Sequence, residues 1–198
     1  MPPAFIFDLG KVLVDFDYSI AARKIAARST KSPADLHAFL GASPLLLEYE
    51  SGLMTRESFF TAISGNIAFQ GDVVEFGGYF ADIFAEIPPM VQLHTELRQR
   101  GFKTYIFSNT NDLAIEHIRR NFPFFQTFDG YIFSYEVGGM KPQSKIYEAM
   151  EAMSGKRGRD LIYIDDRPEN IAAGQERGWQ AILHETPEKT RATITSLL

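Results

Sequence analysis

The sequence predicts an α/β fold in which a parallel β-sheet has helices on both faces and a small all-helical cap is inserted after the first strand. Three observations lead to this prediction. Short apolar segments alternate with amphipathic segments in the second half of the 198-residue chain, which is typical of β-α units. Polar residues follow several of these apolar segments directly. The region between residues 17 and 85 has helical periodicity and few strand-like segments.

The first strand is predicted at residues 4–7, an apolar segment that stops at a carboxylate, Asp8. Gly10 follows it closely, which is typical of a buried strand that ends at a turn. Ligands of open α/β sheets bind at the carboxyl ends of the strands, so Asp8 is a candidate site residue. The alternative is that Asp8 only stabilises the turn, because Asp-x-Gly is common turn chemistry.

The insertion after the first strand is predicted to contain four or five helices. Ser32 followed by Pro33 is typical of a helix N-terminus. Pro88 and Pro89 would form a stiff, hinge-like link at the end of the insertion. We therefore expect a core domain formed by residues 1–16 and 88–198 and a helical cap domain formed by residues 17–87.

Helices and buried strands alternate after this link. The helices are predicted at residues 91–100, 111–121, 144–153 and 168–177, and the strands at residues 103–107, 130–133, 161–164 and 179–183. Together with residues 4–7 this makes five strands separated by helices. The pattern indicates a Rossmann-like parallel sheet that is covered on both faces, with the cap standing over its carboxyl edge.

The composition excludes several classes of protein. There is no cysteine, which excludes disulfides, thiolate nucleophiles and cysteine-based metal sites. The formal charge of −5 argues against nucleic acid as a partner, because that role needs a basic surface. The N-terminus does not have the pattern of a secretory signal, and no apolar segment approaches the roughly 20 residues that span a bilayer. We therefore expect a cytoplasmic protein with no membrane partner.

Polar side chains follow the predicted strand at residues 103–107 and begin the next helix. Ser108 and Asn109 supply a hydroxyl and an amide beside the free N–H groups of a helix N-terminus. Such an arrangement binds anions. The alternative is simple helix capping, for which Ser and Asn are favoured residues.

Two further segments carry charge at predicted strand or helix ends. Lys141 lies in the loop GGMKP before a helix, where it would neutralise a phosphate or a carboxylate unless it is an ordinary surface lysine. Asp165 and Asp166 directly follow a buried strand. Adjacent carboxylates repel each other unless a cation, hydrogen bonds or solvent offset their charge, and hard oxygen ligands select Mg²⁺. The alternative is a solvated acidic turn.

Taken together, these residue types match one reaction class. A strand-end carboxylate can act as a nucleophile, a hydroxyl and amides can hold phosphoryl oxygens, a lysine can balance charge, and paired carboxylates can hold a metal ion. This is the set of groups needed for phosphoryl transfer through an aspartyl-phosphate.

In order and spacing, these segments resemble the four motifs of the haloacid dehalogenase-like (HAD) hydrolase superfamily. The matching segments are FDLGKVLVD, FSNTN, GMKP and IDDRPEN, which begin at Phe7, Phe107, Gly139 and Ile164. Within the superfamily, the chain most resembles the small phosphatases related to α-D-glucose-1-phosphate phosphatase and the phosphatase domain of soluble epoxide hydrolases. The segment EYESGLMTRESF, residues 48–59, resembles the cap signature of that group.

The resemblance implies a role for each motif. Asp8 would be the nucleophile and a Mg²⁺ ligand, together with the Gly10 carbonyl and one carboxylate of the pair, Asp166 in preference to Asp165. Ser108, Asn109 and Lys141 would bind the phosphoryl group, with Lys141 also acting on Asp8. Asp165 and Asn170 would surround these groups and hold them in position.

One departure from the family pattern affects the chemistry. Most phosphatases of the superfamily have an acid–base aspartate two residues after the nucleophile, and here that residue is Gly10. General acid–base catalysis contributes about 10² to 10⁴ in rate. The branch that the chain resembles tolerates glycine at this position, and an anomeric phosphate has a comparatively good leaving group and less need of an acid. Asp15, Asp17 and Glu48 are the candidates to substitute, with turn or hinge residues as the alternative for Asp15 and Asp17.

The leading hypothesis is therefore a Mg²⁺-dependent phosphatase that acts on a small phosphorylated metabolite, sugar phosphates first. Two alternatives remain open at this point. One is a binding or regulatory protein that lost turnover when its acid became glycine. The other is a metal-independent haloacid dehalogenase, which the two adjacent aspartates disfavour.

Overall fold

The computed structural model describes residues 2–198, apart from the side chain of Ala42. It contains a five-stranded sheet with the strand order β5-β4-β1-β6-β7, in which every neighbouring pair is parallel. A separate antiparallel pair is formed by β2 and β3. The strands are β1 (Ala4–Phe7), β2 (Val14–Phe16), β3 (Phe84–Glu86), β4 (Lys103–Ser108), β5 (Gly130–Phe133), β6 (Leu161–Asp165) and β7 (Gln180–Leu183). The predicted α/β fold is confirmed.

Helices precede or follow each strand of the large sheet. They are α1 (Tyr18–Ala26), α2 (Pro33–Ala42), α3 (Pro44–Glu50), α4 (Arg56–Ile67), α5 (Val73–Ala81), α6 (Pro88–Gln99), α7 (Asp112–Asn121), α8 (Ser134–Val137), α9 (Ser144–Ser154), α10 (Pro168–Glu176) and α11 (Pro187–Leu197). None of the helices among residues 2–198 is long and apolar enough to cross a membrane.

The sheet is buried on both faces because its strands carry apolar side chains at consecutive positions. On β1, Phe5 and Phe7 pack into one apolar cluster with residues of α6, α7 and α11. Ala4 and Ile6 point the other way, into a second cluster with residues of α9 and α10. Successive side chains of a strand point to opposite faces, so these four apolar residues in a row create two cores.

The segment between β2 and β3 forms a third apolar cluster of its own. Its centre is aromatic, with Tyr49 stacked on Phe59 at a centroid distance of 4.3 Å and Phe76 stacked on Phe80 at 5.7 Å. Leu113, which belongs to α7, packs into the same cluster. The five helices of this segment therefore pack on one another and on the first turn of α7.

The structure differs from the predicted elements mainly around this segment. The β2–β3 pair was not expected, because three-residue strands leave no periodic pattern to detect. Helix α6 begins at Pro88, three residues earlier than predicted, and Pro88 and Pro89 occupy its first turn instead of forming a link. Proline is compatible with the first turn, where the N–H group has no partner within the helix.

Candidate active site

Asp8 directly follows β1 and lies at the carboxyl edge of the sheet. Its backbone N–H donates to the carbonyl of Ile164 on β6 (2.9 Å), which continues the parallel register past the end of β1. Its side chain is buried, and Oδ1 accepts a hydrogen bond from the backbone N–H of Leu9 (2.6 Å). The carboxylate is therefore fixed by the turn that follows the strand.

Asp165 is the last residue of β6 and lies beside Asp8 because the two strands are paired in parallel. Its side chain is fully buried and accepts hydrogen bonds from Lys141 Nζ (2.7 Å), the backbone N–H of Arg167 (2.9 Å) and Asn170 Nδ2 (3.0 Å). The hydroxyl of Tyr163 also donates to it. Sequence reasoning did not single out Tyr163, whose hydroxyl position depends on the tertiary fold.

Lys141 joins the two carboxylates. Its Nζ lies 3.0 Å from Asp8 Oδ1 and 2.7 Å from Asp165 Oδ2, and it donates a third bond to the carbonyl of Phe107 (2.8 Å). An ammonium group has three N–H donors, so all of them have acceptors here. The lysine is 5% exposed, which excludes the alternative of a solvated surface residue.

Asn109 holds the loop that carries this lysine. Its Nδ2 donates to the carbonyl of Lys141 (3.0 Å), and its Oδ1 accepts from the N–H of Lys141 (2.8 Å). Both ends of the amide are engaged with the backbone of one residue. The second N–H of Nδ2 has no hydrogen-bond partner among the described residues, so the side chain still has a donor for a bound phosphoryl group.

Ser108 and the beginning of α7 complete the polar edge. Ser108 is 3% exposed, and its hydroxyl makes one long bond, to the carbonyl of Asn109 (3.3 Å). Asn111, predicted as the first residue of this helix, is instead its N-cap and accepts from the N–H of Ala114 (3.0 Å). The buried hydroxyl of Ser134, which the sequence did not indicate, accepts from the N–H of Thr110 (2.9 Å) and fixes the loop.

The carboxylates Asp8, Asp165 and Asp166 offer oxygen atoms that all lie within 4.8 Å of one another. Three carboxylates and one ammonium group leave two negative charges when all are ionised, which one divalent cation would balance. Burial raises the pKa of Asp8, against the opposing effect of the Lys141 charge. Burial also acts to raise the pKa of Asp165, but Lys141 and the hydrogen bonds to the carboxylate outweigh it and lower that pKa.

The donor set fits Mg²⁺, since hard cations take oxygen ligands and Mg²⁺ is commonly held by a few carboxylates. Asp166 is partly buried, and it forms no ion pair with a basic side chain in the described part of the chain. Burial raises its pKa, and the neighbouring charge of Asp165 adds to this effect. Asp8 and Asp166 are therefore the carboxylates with capacity left for a metal ion, whereas Asp165 is already surrounded by donors.

A cavity of about 70 Å³ lies between the loops that follow β1 and β4 and the helical segment between β2 and β3, and the three carboxylates and Lys141 are not among its lining residues. Leu9, Gly10, Ser108 and Asn109 contribute from the sheet side, and Glu50 contributes from the end of α3. A larger cleft of about 450 Å³ lies between α5 and α7, away from the carboxylates.

None of the three residues proposed to replace the missing acid lines this cavity. Asp15 is exposed and pairs with Lys11, and Asp17 caps α1 by accepting from the N–H of Ser19 (2.8 Å). Glu48 is exposed on α3. The carboxyl group that faces the cavity belongs to Glu50, which the sequence marked only as part of the cap signature.

Comparison with known proteins agrees with this geometry. A family profile described as haloacid dehalogenase-like hydrolase matches residues 2–178. The chain belongs to this hydrolase family. The predicted resemblance is thereby confirmed, and with it the assignment of the chain to an enzyme family.

Two relatives and one solved structure are similar to this HAD-like chain. A D-ribitol-5-phosphate phosphatase from Bacteroides thetaiotaomicron is 22% identical over 202 residues, covering 98% of this chain and 97% of the relative. A sesquiterpene phosphatase from Aspergillus oryzae is 24% identical over 178 residues, covering 88% and 86%. A crystal structure of a HAD family enzyme from B. thetaiotaomicron in complex with magnesium and inorganic phosphate superposes with a TM-score of 0.81 at 22% identity, covering 92% and 94%.

Proposed function

We propose that this protein is a Mg²⁺-dependent phosphatase that hydrolyses a small phosphorylated metabolite through an aspartyl-phosphate on Asp8. One observation carries the proposal. Asp8, Lys141, Asp165 and Asp166 come from three separate segments of the chain, and they converge at one edge of the sheet. The two relatives described above, both named as phosphatases, support the same reaction type.

Asp8 is the proposed nucleophile. Its Oδ1 accepts from both the Leu9 N–H and Lys141, and within the described residues no hydrogen bond engages Oδ2. Oδ2 is therefore the oxygen free to attack phosphorus. Lys141 favours the ionised form of the nucleophile, because an opposite charge 3.0 Å away stabilises a carboxylate.

Ser108 and the backbone N–H groups at the beginning of α7 are the proposed phosphoryl ligands. The Ser108 hydroxyl has only a long internal bond, so it can turn towards a ligand at little cost. The helix N-terminus adds a partial positive charge. Asn109 fixes the backbone of Lys141 in this scheme and has one side-chain N–H left for the phosphoryl group, whereas Asp165 acts indirectly by fixing the ammonium group of Lys141.

Asp8, the Gly10 carbonyl and Asp166 would hold the Mg²⁺ ion, with Asp165 next to it. When bound, the ion would offset the charge of the carboxylates and of the phosphoryl oxygens, which would otherwise repel each other. The role of Asp165 is then to keep Lys141 in place beside the nucleophile.

Residues 17–87 are the proposed cap domain, standing over a core formed by residues 1–16 and 88–198. The cavity beneath it is about 70 Å³, whereas sites for whole small molecules are roughly 300 Å³ or larger. The described conformation therefore has room for a phosphoryl group but not for a sugar phosphate. The cap must move for the substrate to bind, and its inner surface selects the leaving group.

Sugar phosphates are the first substrates to test, with isoprenoid phosphates as the second class because one relative is named for a sesquiterpene. The purified protein should release inorganic phosphate from a member of this panel with Mg²⁺ and lose that activity in EDTA. Asp8→Asn should abolish turnover. Phosphate binding without hydrolysis would favour a binding protein, and metal-independent release of halide from a haloacid would favour a dehalogenase.

A further inference from the structure

The position that carries the acid–base aspartate in most related phosphatases is filled by another side chain here. A Cβ atom built on Gly10 would lie 2.9 Å from Cε1 of the Phe16 ring, closer than carbon atoms normally approach. The ring is held in place by edge-on packing against Tyr18 and Phe84, at centroid distances of 5.7 and 6.2 Å. An aspartate at this position would have to displace the ring, so an acid that takes part in the reaction belongs to another residue.

Glu50 is the one carboxyl group among the described residues that line the small cavity. It is partly buried and ends α3, while Gly10, Ser108 and Asn109 face it across the cavity from the sheet edge. The preceding residue anchors this end of the helix, because Tyr49 stacks on Phe59 and donates to Asp112 of α7. In the described conformation Glu50 is thus held on the wall of the cavity that lies opposite the sheet edge.

We propose that Glu50 is the general acid and base of this enzyme, in place of the aspartate that Gly10 and Phe16 exclude. The inference rests on the proposed phosphatase function and adds a catalytic residue to it. It places the proton donor on the cap, so the donor reaches the substrate only when the cap covers the site.

The surroundings of Glu50 suit both roles. Burial raises the pKa of Glu50 to about 7, with a hydrogen bond from the Asn111 side chain acting in the opposite direction. Among the described residues that line the cavity, Tyr18 on α1 is the other titratable group, and burial raises its pKa so that it stays neutral. A group with a pKa near the working pH can both give and accept a proton efficiently.

The proton transfers balance over the two steps. In the first, an oxygen of the Asp8 carboxylate bonds to phosphorus, the bond between phosphorus and the ester oxygen breaks, and the Glu50 carboxyl gives its proton to the departing alkoxide. In the second, Glu50 takes a proton from water as the water oxygen bonds to phosphorus and the bond to Asp8 breaks. Inorganic phosphate leaves, and both carboxyl groups return to their starting states.

The decisive test compares leaving groups in Glu50→Gln. A sugar phosphate leaves as an alkoxide and needs a proton, whereas p-nitrophenyl phosphate leaves as a stable phenolate and does not. We expect kcat/KM for the sugar phosphate to fall by about 10² to 10⁴ and kcat/KM for p-nitrophenyl phosphate to change much less. Glu48→Gln is the matched control, two residues earlier on the same helix but exposed, and it should behave like the native protein.

Three further readouts separate catalysis from a structural role. In the native protein, kcat/KM for the sugar phosphate should decline above about pH 7 as Glu50 loses its proton, and this decline should be missing in Glu50→Gln. The variant should accumulate a covalent phosphoryl group on Asp8, visible by mass spectrometry, because water lacks its base. Glu50→Asp should recover part of the sugar-phosphate rate, since it restores a proton donor.

The possible failures can be told apart. Equal losses on both esters, or no loss on the sugar phosphate, would overturn the role of Glu50 and leave the phosphatase assignment intact. A native protein that hydrolyses neither ester in the presence of Mg²⁺ would overturn the phosphatase assignment, and the role of Glu50 would fall with it.

Discussion

Asp165 and Asp166 are neighbours in the chain but lie in different surroundings. Asp165 is fully buried and surrounded by donors, among them Lys141 and Asn170. Asp166 is partly buried and has no basic partner in the part of the chain that the structure describes. The first carboxylate stabilises the fold around the lysine, and the second remains available to a cation.

Asparagine substitutions should separate these two roles. Asp165→Asn removes the charge that faces Lys141 and should lower the free energy of unfolding without Mg²⁺ by about 1–3 kcal/mol. Asp166→Asn should leave that free energy nearly unchanged but remove the stabilisation by Mg²⁺, which for the native protein is about 2.7 kcal/mol at a hundred times the dissociation constant. Urea unfolding with Mg²⁺ and with EDTA measures both quantities. Identical behaviour of the two variants would contradict this division.

The position of a single site residue could be predicted only where the neighbouring sequence has a recognisable pattern. Asp8 and the two aspartates follow apolar strands, so their meeting at one edge could be anticipated. The sequence pointed to Glu48 as a possible acid, whereas Glu50 faces the cavity. Which residue of a short helix faces inward depends on how that helix packs on α7, and the sequence does not encode that packing locally.

The loop between α3 and α4 is the element most sensitive to a change of backbone conformation. Gly52 has a φ of +74°, and a Cβ atom there would collide with the carbonyl oxygen of Tyr135 on α8. Gly52→Ala should therefore destabilise the protein by about 1–3 kcal/mol, because the strained conformation and the collision cannot both be relieved. The loop directly follows Glu50, so hydrolysis of the sugar phosphate should fall as well.

Gly65 provides the matched control, because it is exposed within α4 and a Cβ atom added there would meet no described atom within 4 Å beyond its own stretch of helix. Gly65→Ala should stabilise the protein by about 0.5–1 kcal/mol, since alanine loses less conformational entropy than glycine in a helix. Urea denaturation of both variants shows whether each substitution lowers or raises the free energy of unfolding. Effects of the same sign would show that Gly52 is not constrained by its contact with α8.

At the scale of elements, long or strongly apolar segments were predicted well. All five strands of the large sheet occur where the apolar segments are, within one residue at each end. The unexpected elements are the short pair β2–β3, the single turn α8 and the C-terminal helix α11. Helix α11 has few buried positions, Thr190 and Ile194, and therefore a weak periodic pattern.

For the molecule as a whole, the packing of the proposed cap on the proposed core decides whether the two halves of the proposed site come together. Asp8 and Lys141 lie at the edge of the large sheet, and Glu50 ends α3 in the helical segment between β2 and β3. The contact between them runs through α7, where Asp112 accepts from Tyr49 and from Arg56 (2.8 Å), and Arg56 also pairs with Glu116 (2.7 Å). Arg56 and Asp112 are partly buried and Glu116 is exposed, so their ion pairs contribute little to the contact, whereas Tyr49 is buried.

Arg56→Ala should therefore loosen the cap with little loss of global stability, less than about 1 kcal/mol. Amide hydrogen exchange in residues 44–67, which include α3 and α4, should become faster. The matched control is Arg120→Ala. Arg120 pairs with the same Glu116 (2.9 Å) but lies on α7 itself and does not connect α7 to the proposed cap.

The activity should depend on this contact, because Glu50 reaches the substrate only when the proposed cap is packed on α7. Arg56→Ala should therefore reduce hydrolysis of the sugar phosphate more than that of p-nitrophenyl phosphate, which does not need the proton from Glu50. Equal exchange rates in the two variants would mean that α7 holds the cap through the apolar cluster around Leu113 and not through this ion pair.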